Sequence, residues 1–260
     1  MPRLLGEACK DGWMVVEDLG DDTLSTYLER HPAQRERLYQ RAVADLARAQ
    51  SALRVLPADS IIRARAFDYE LLHWEIQHFR EWALEARGLG LAARDRAIFD
   101  RAADSLARRI ANWPRVFVHR DYQSRNLMVV PLGDGEVELA WVDFQDALLG
   151  PRVYDLVALL SDSYQEFSSE FVSARLDEYV TELALDASER RAIAHEFDLV
   201  TVQRKLKDAG RFVFIDREKG NPSYLKFVDP TIAKVRAALG RLRDDAELMA
   251  LDQLLERVLA

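Results

Sequence analysis

Cysteine is almost missing from this sequence: Cys9 is the only one in 260 residues. That excludes an internal disulfide and any cysteine-built metal cluster, and it suits a reducing compartment. Histidines at metal-binding spacing are missing too, since His31, His73, His78 and His195 are scattered. There is no surplus of basic charge. The formal net charge is −8, which argues against nucleic acid as the main partner. No apolar run approaches the roughly 18 residues of a membrane span, and the opening MPRLLGEACKDGWMVV lacks the long apolar stretch of a signal peptide. Internal repeats and low-complexity linkers are absent as well. What remains is 49% hydrophobic and 31% charged, the composition of an ordinary globular chain able to bury a core. The expectation is a cytoplasmic protein.

The pattern along the chain alternates between short β-elements and long helices. RLLGEACKDGWMVVEDLG reads as two strands around a turn at Lys10, Asp11 and Gly12. From residue 21 the period becomes helical, with Asp22 placed as an N-cap and Pro32 suited to a first turn. Leu38, Ala42, Leu46, Ala49 and Leu53 mark one apolar face. Leu72, Trp74, Ile76, Phe79 and Trp82 broaden the apolar side of the next helix, and RDRAIFDRAADSLARRIANW is a fourth. After Pro114, VFVH, LMVV and VELAWVDF read as strands, with a hairpin turn in PLGDGEVE. Beyond Pro151 the chain returns to helices, and Asp186 with Glu189 has capping-box spacing.

The β-element in the middle carries the chemistry. Transfer of a γ-phosphoryl group needs a carboxylate to orient the attacking hydroxyl, oxygen ligands for Mg²⁺, and positive charge near the phosphate oxygens. HRDYQSRN supplies the first two. Asp121 is placed as the base, and Asn126 follows at D-x-x-x-x-N spacing, where a short loop can turn its amide oxygen toward a metal. Asp143, closing the strand LAWVDF, adds a second hard oxygen of the kind Mg²⁺ prefers. Taken singly, such residues are ordinary loop and cap features; in this order, between apolar strands, they form the catalytic and metal loops of a kinase-like site. His119 reads as loop packing. Asp155 sits in a helix among Val157, Leu159 and Leu160, so its carboxylate needs partners. Bracing the catalytic loop through backbone N–H groups is the role it suits.

These residues resemble a known family. VHRDYQSRNLMV, VDFQDALLGPRVYDLVALLSDSY, EDLGDDTL and QRKLKDAGRFV are similar to the aminoglycoside-phosphotransferase superfamily. Within it they are most similar to the N-acetylmuramate/N-acetylglucosamine anomeric kinases of cell-wall recycling. Arg120 stands where aminoglycoside-modifying members carry glycine. The resemblance implies ATP and Mg²⁺ as cofactors and transfer of phosphate to the C1 hydroxyl of an N-acetylated amino sugar. It implies Asp121 as base, Asn126 and Asp143 as metal ligands, His119, Arg120 and Asp155 in support, and a hinge whose backbone at Glu17 and Leu19 meets adenine. It also points to Gln203 and Arg204 as substrate-binding residues facing the sugar cleft. Arg204, Lys207 and Arg211 share one helix face, which reads either as a solvated basic stripe or as a sugar-cleft wall where arginine grips a muramate carboxylate.

The fold class implied is α+β, mostly helical: the large C-terminal lobe of a protein-kinase-like fold with a residual β-hairpin of the small lobe. Residues 1–20 would form the hairpin and hinge, and 21–260 the helical lobe with its catalytic and metal loops in 119–146. The phosphate-covering glycine loop and the strand lysine of the family are not found; GLGLAA lacks the third glycine and Lys10 lies in a turn. Weak or absent kinase activity, as of a truncated enzyme, is therefore expected, together with an exposed apolar patch where the missing lobe would dock. Two other functions stay open: an aminoglycoside phosphotransferase, and a catalytically silent kinase-like module that binds a sugar or a protein.

Overall fold

The computed structural model describes residues 1–259. Strands β1 (Leu4–Ala8) and β2 (Trp13–Val16) form the anticipated antiparallel hairpin. Leu4, Leu5 and every residue of β2 are exposed. The hairpin is held by its ladder and an Arg3–Glu17 ion pair at 3.2 Å, and its apolar side chains lie open to solvent.

Helices α1 (Leu24–Arg30), α2 (Arg35–Ala52), α3 (Tyr69–His78) and α4 (Ala93–Ala111) follow. α1 starts one residue later than expected. Thr23 is its N-cap, accepting the Thr26 N–H at 3.2 Å while the Thr26 hydroxyl accepts the Thr23 N–H at 3.1 Å. Asp22 is not the cap; its carboxylate is drawn instead to Arg30. In α3 the apolar stripe is Leu72, Ile76 and Phe79, all buried, whereas Trp74 faces outward with 58% exposure. At 100° per residue, a side chain two positions from both Leu72 and Ile76 points away from them.

Four strands come next: β3 (Arg115–Val118), β4 (Leu127–Gly133), β5 (Glu136–Trp141) and β6 (Leu148–Pro151). β4 and β5 form a hairpin whose two-residue turn, Asp134–Gly135, has both φ values positive, at 50° and 78°. That is the backbone a tight hairpin needs. β6 pairs antiparallel with β3. It was not legible in the sequence, because the four residues Leu-Leu-Gly-Pro form a strand only through that distant pairing.

The remainder is helical: α5 (Tyr154–Leu160), α6 (Ser169–Glu182), α7 (Ala187–Lys219), α8 (Val228–Arg241) and α9 (Ala246–Val258). Asp186 caps α7 by accepting from the Ser188 and Glu189 N–H groups at 2.8 and 3.0 Å. The Glu189 side chain does not close a capping box; it turns to Arg152. α7 runs 33 residues through the body and lies very close to α3. A Cβ on Gly210 would stand 2.6 Å from the His78 carbonyl oxygen, so only glycine admits this approach. At that contact α3 widens into a π-helical turn, residues 79–84. One continuous core joins α1 through α9 to β3–β6. No helix of the described residues is long and apolar enough to cross a membrane.

Candidate active site

The loop after β3 is fixed from beneath. Asp155, fully buried near the start of α5, accepts the backbone N–H groups of His119 and Arg120 at 2.7 and 3.0 Å. Burial pushes its pKa up, to about 7, against the pull of those donors and of Arg204. Arg120 has a positive φ of 79°, a strained conformation for a non-glycine residue. Its carbonyl accepts from Arg204 at 2.8 Å, and its guanidinium lies 3.3 Å from buried Glu75. The strained loop is therefore fastened at N–H, carbonyl and side chain at once. His119 is fully buried, with its ring edge-on to Tyr122 and Trp141. Burial lowers its pKa, and it packs the loop without reaching the cleft.

This fastening presents Asp121 to the cleft with about a third of its side chain exposed. Asn126 and Asp143 converge beside it. The Asn126 amide donates to the Asp121 carbonyl at 2.9 Å and to an Asp143 carboxylate oxygen at 3.2 Å. Asp143 follows β5 and also has a positive φ, 67°, which swings its carboxylate back toward Asn126. Its other oxygen accepts from the Gln145 amide. The hydrogen bond from the Val142 N–H to the Asn126 carbonyl, 3.1 Å, closes the two loops on each other. No group of three or more His, Cys, Asp or Glu among the described residues could enclose a metal ion. The Asp143 carboxylate, which lines the cleft, and the Asn126 side-chain amide beside it are the hard-oxygen donor types that fit a Mg²⁺ completed by phosphate and water.

The opposite wall is α7. A cavity of about 580 Å³ separates it from the loops and reaches Trp74, Tyr164 and Tyr224 at its rim. Arg204 is only 3% exposed; its guanidinium lies over the Tyr154 ring at 4.7 Å and 3.6 Å from an Asp121 oxygen. Burial opposes its charge, but Tyr154, Asp208, Asp121 and Asp155 together raise its pKa. The solvated-stripe reading fails for this residue: Arg204 is a buried strut of the catalytic loop. Gln203 does not face the cleft. It is fully buried, and its amide donates to Glu75 at 2.8 Å, so it bears on the site only through the Glu75–Arg120 contact. Lys207 and Arg211 do line the cavity.

At the hinge, the Glu17 N–H is committed to the Arg3 carbonyl at 2.8 Å and its carboxylate to Arg3. Leu19 follows in the segment that leads to α1. This segment is stitched to the catalytic region, since the Val129 N–H donates to the Asp22 carbonyl at 2.7 Å and the Ser25 N–H to that of Ser124 at 3.1 Å. A second cavity, about 560 Å³ between α6, α7 and α8, contains none of the motif residues.

Glu75 and Gln145 were missed in the sequence. Glu75 had a signal: it falls in the Leu72–Ile76–Phe79 stripe, and an acid within an apolar face needs a buried partner. Gln145 had none, because its position follows from the turn after Asp143.

Comparison with known proteins agrees with this geometry. The phosphotransferase enzyme family matches residues 1–193. The N-acetylmuramate/N-acetylglucosamine kinase of Pseudomonas aeruginosa is 34% identical over 256 residues, covering 95% of this chain and 71% of that protein. The kinase of the same name from Neisseria meningitidis serogroup B is 32% identical, covering 96% of this chain and 74% of that one. Among solved structures, an ethanolamine kinase from Plasmodium vivax superposes with a TM-score of 0.55 at 13% identity. That match covers 86% of this chain and spans 64% of the ethanolamine kinase, a likeness of fold. With the catalytic and metal loops in place within the matched segment, this chain belongs to the phosphotransferase enzyme family.

Proposed function

We propose that this protein transfers the γ-phosphoryl group of ATP to the C1 hydroxyl of an N-acetylated amino sugar, N-acetylmuramate or N-acetylglucosamine. The observation that carries the reading is the convergence of Asp121, Asn126 and Asp143, with Asp121 and Asp143 lining one cleft. The names of the relatives at 34% and 32% identity supply the acceptor.

Asp121 accepts or orients the proton of the attacking hydroxyl. Arg204, 3.6 Å away, limits where that carboxylate can turn. Asn126 and Asp143 would hold Mg²⁺, and the ion would supply positive charge to the phosphate oxygens. Gln145 steadies Asp143 from its far side. With the Glu17 N–H spent on Arg3, the donor facing adenine is assigned to Leu19 and the acceptor to the Glu17 carbonyl. Residues 1–20 serve as the hairpin and hinge of the nucleotide side, and residues from 21 onward as the lobe that carries out the chemistry.

An aminoglycoside is a polycation and calls for a strongly acidic cleft; here Arg120, Arg204, Lys207 and Arg211 offset the five lining acids Glu75, Asp121, Asp143, Asp146 and Asp208. The test is ADP release from ATP and Mg²⁺ with N-acetylmuramate, N-acetylglucosamine or kanamycin as acceptor. Turnover with either amino sugar, however slow, and none with kanamycin is expected. Turnover with kanamycin alone would overturn the reading, and sugar binding without turnover would favour a silent binding module.

A further inference from the structure

The two sugars named above differ by one group: muramate carries a lactyl ether at C3, ending in a carboxylate. Around Asp208, on the α7 wall of the cleft, positive charge is in local surplus. Arg204, Lys205 and Lys207 share the single carboxylate of Asp208, at 4.0, 2.8 and 3.2 Å. Asp208 is buried, which opposes its charge, yet Lys205, Lys207 and Arg204 together hold its pKa far below the usual carboxylate range. The other acids bordering the cleft are occupied. Glu75 serves Arg120 and Gln203, Asp146 pairs with Arg65 at 2.9 Å, and Asp121 and Asp143 belong to the reacting floor.

Four cations lie along the α7 side of the cleft, and they are not equivalent. Lys205 is buried against Ser163 and Asp208. Arg204 is spent on the Arg120 carbonyl, on Asp121 and on the Tyr154 ring. Lys207 borders the cavity with 18% of its side chain exposed. Arg211 also borders it, is exposed, and makes no ion pair with any of the described residues. Its guanidinium lies over Phe214 at 4.8 Å, a contact that leaves its N–H edge free. His78 faces both residues. Burial, with Arg211 and Lys207 adding to it, lowers its pKa to about 4. It is neutral at pH 7 and neither attracts nor repels an incoming acid.

Position along the helix supplies a ruler. At about 1.5 Å per residue, Lys207 and Arg211 stand ~4.5 and ~10.5 Å along α7 from Arg204, which marks the reacting carboxylate. A pyranose bound with its C1 hydroxyl at Asp121 and its C3 arm turned toward α7 would bring the acid about one to two helical turns from the reaction. Trp74 and Tyr224 at the rim present aromatic surface to the sugar ring.

We propose that Lys207 and Arg211 form a carboxylate subsite that selects muramate over glucosamine, with Arg204 excluded from that task by its role in holding the catalytic loop. This rests on the amino-sugar reading of the site.

Calorimetric binding of each sugar to the parent protein, to Arg211→Leu and to Lys207→Met tests it without requiring turnover. The parent is expected to bind N-acetylmuramate more tightly than N-acetylglucosamine. Each variant should lower the ratio of the two affinities about tenfold or more, the scale of one lost charged hydrogen bond. Arg211 is exposed and unpaired, so its variant tests the idea even if Lys207→Met, next to Asp208, unfolds. A ratio unchanged in Arg211→Leu, while the parent binds both sugars, overturns the subsite alone. A fall in ATP affinity with the sugar ratio intact also overturns it, since the cations would then serve the nucleotide. Binding of neither sugar by the parent overturns the amino-sugar reading, and the subsite with it.

Discussion

The two sides of the cleft are built in opposite ways. One side is loop: Arg120 and Asp143 have positive φ, and the side chains that matter are carboxylates and an amide. The other is a single 33-residue helix in regular geometry that carries the cations. A strained loop holds its shape only if its surroundings over-determine it, and here they do so through Asp155, Glu75 and Arg204. The helix needs no such support, because its backbone is satisfied internally and only its distance from α3 must be kept. The buried ionisable groups differ in sign as well. Beneath the loop lies an acid with a raised pKa; beneath the helix lies a histidine with a lowered one.

Breaking the loop side should have the largest effect. Asp155→Ala removes the acceptor of two buried N–H groups, at about 1–3 kcal/mol for each left unpaired. The strained turn should relax, and turnover should fall by at least the ~10²-fold ascribed to a misplaced base. Chemical denaturation together with ADP-release rates would check both. On the helix side, Gly210→Val forces α7 away from the His78 carbonyl, now 2.6 Å from the position of a Cβ. Overpacking of this kind costs about 1–3 kcal/mol, and thermal unfolding should show it as a lowered midpoint. It should also weaken the Gln203–Glu75 contact, a link between the two sides.

The pH dependence of stability carries two contributions of opposite sign. The unfolded chain releases the Asp155 proton near 3.8 and the folded chain near about 7. Between those values the unfolded state binds fewer protons, so this residue's contribution makes stability fall as pH rises. His78 takes up a proton near 6.5 when unfolded and near about 4 when folded. There the unfolded state binds more protons, and stability is lost as pH falls through that window. Relative to the parent, Asp155→Asn should gain stability between pH 4 and about 7 as pH rises. His78→Phe should gain it between 6.5 and about 4 as pH falls. Denaturation midpoints of the three proteins across that range would check the signs.

This contrast also explains what the sequence could reveal. The loop side was legible because its residues are close together in the chain: HRDYQSRN and VDF state Asp121, Asn126 and Asp143 by spacing alone. The apolar stripes of α2 and α4 and the N-terminal hairpin were legible through their periods. The groups that fasten the loop come from elsewhere, Glu75 from α3 and Arg204 from α7, and nothing local ties them to Arg120. Gln203 was attributed to the cleft because a helix face can be drawn from sequence but its rotation against α3 cannot. β6 was invisible for the same reason, being a strand only by virtue of β3. Trp74 was assigned to the buried face of a helix whose register leaves it on the rim of the cleft.

The central claim is that Asp121 directs phosphoryl transfer to the anomeric hydroxyl. Phosphorus NMR of the reaction with ATP, Mg²⁺ and N-acetylmuramate tests it most directly, run in parallel with Asp121→Asn. The expected result is a signal coupled to the C1 proton of the sugar with the parent protein. In the variant that signal should form about 10²- to 10⁴-fold more slowly, with sugar binding retained. Phosphate appearing on another hydroxyl, or an Asp121→Asn protein as fast as the parent, would contradict it.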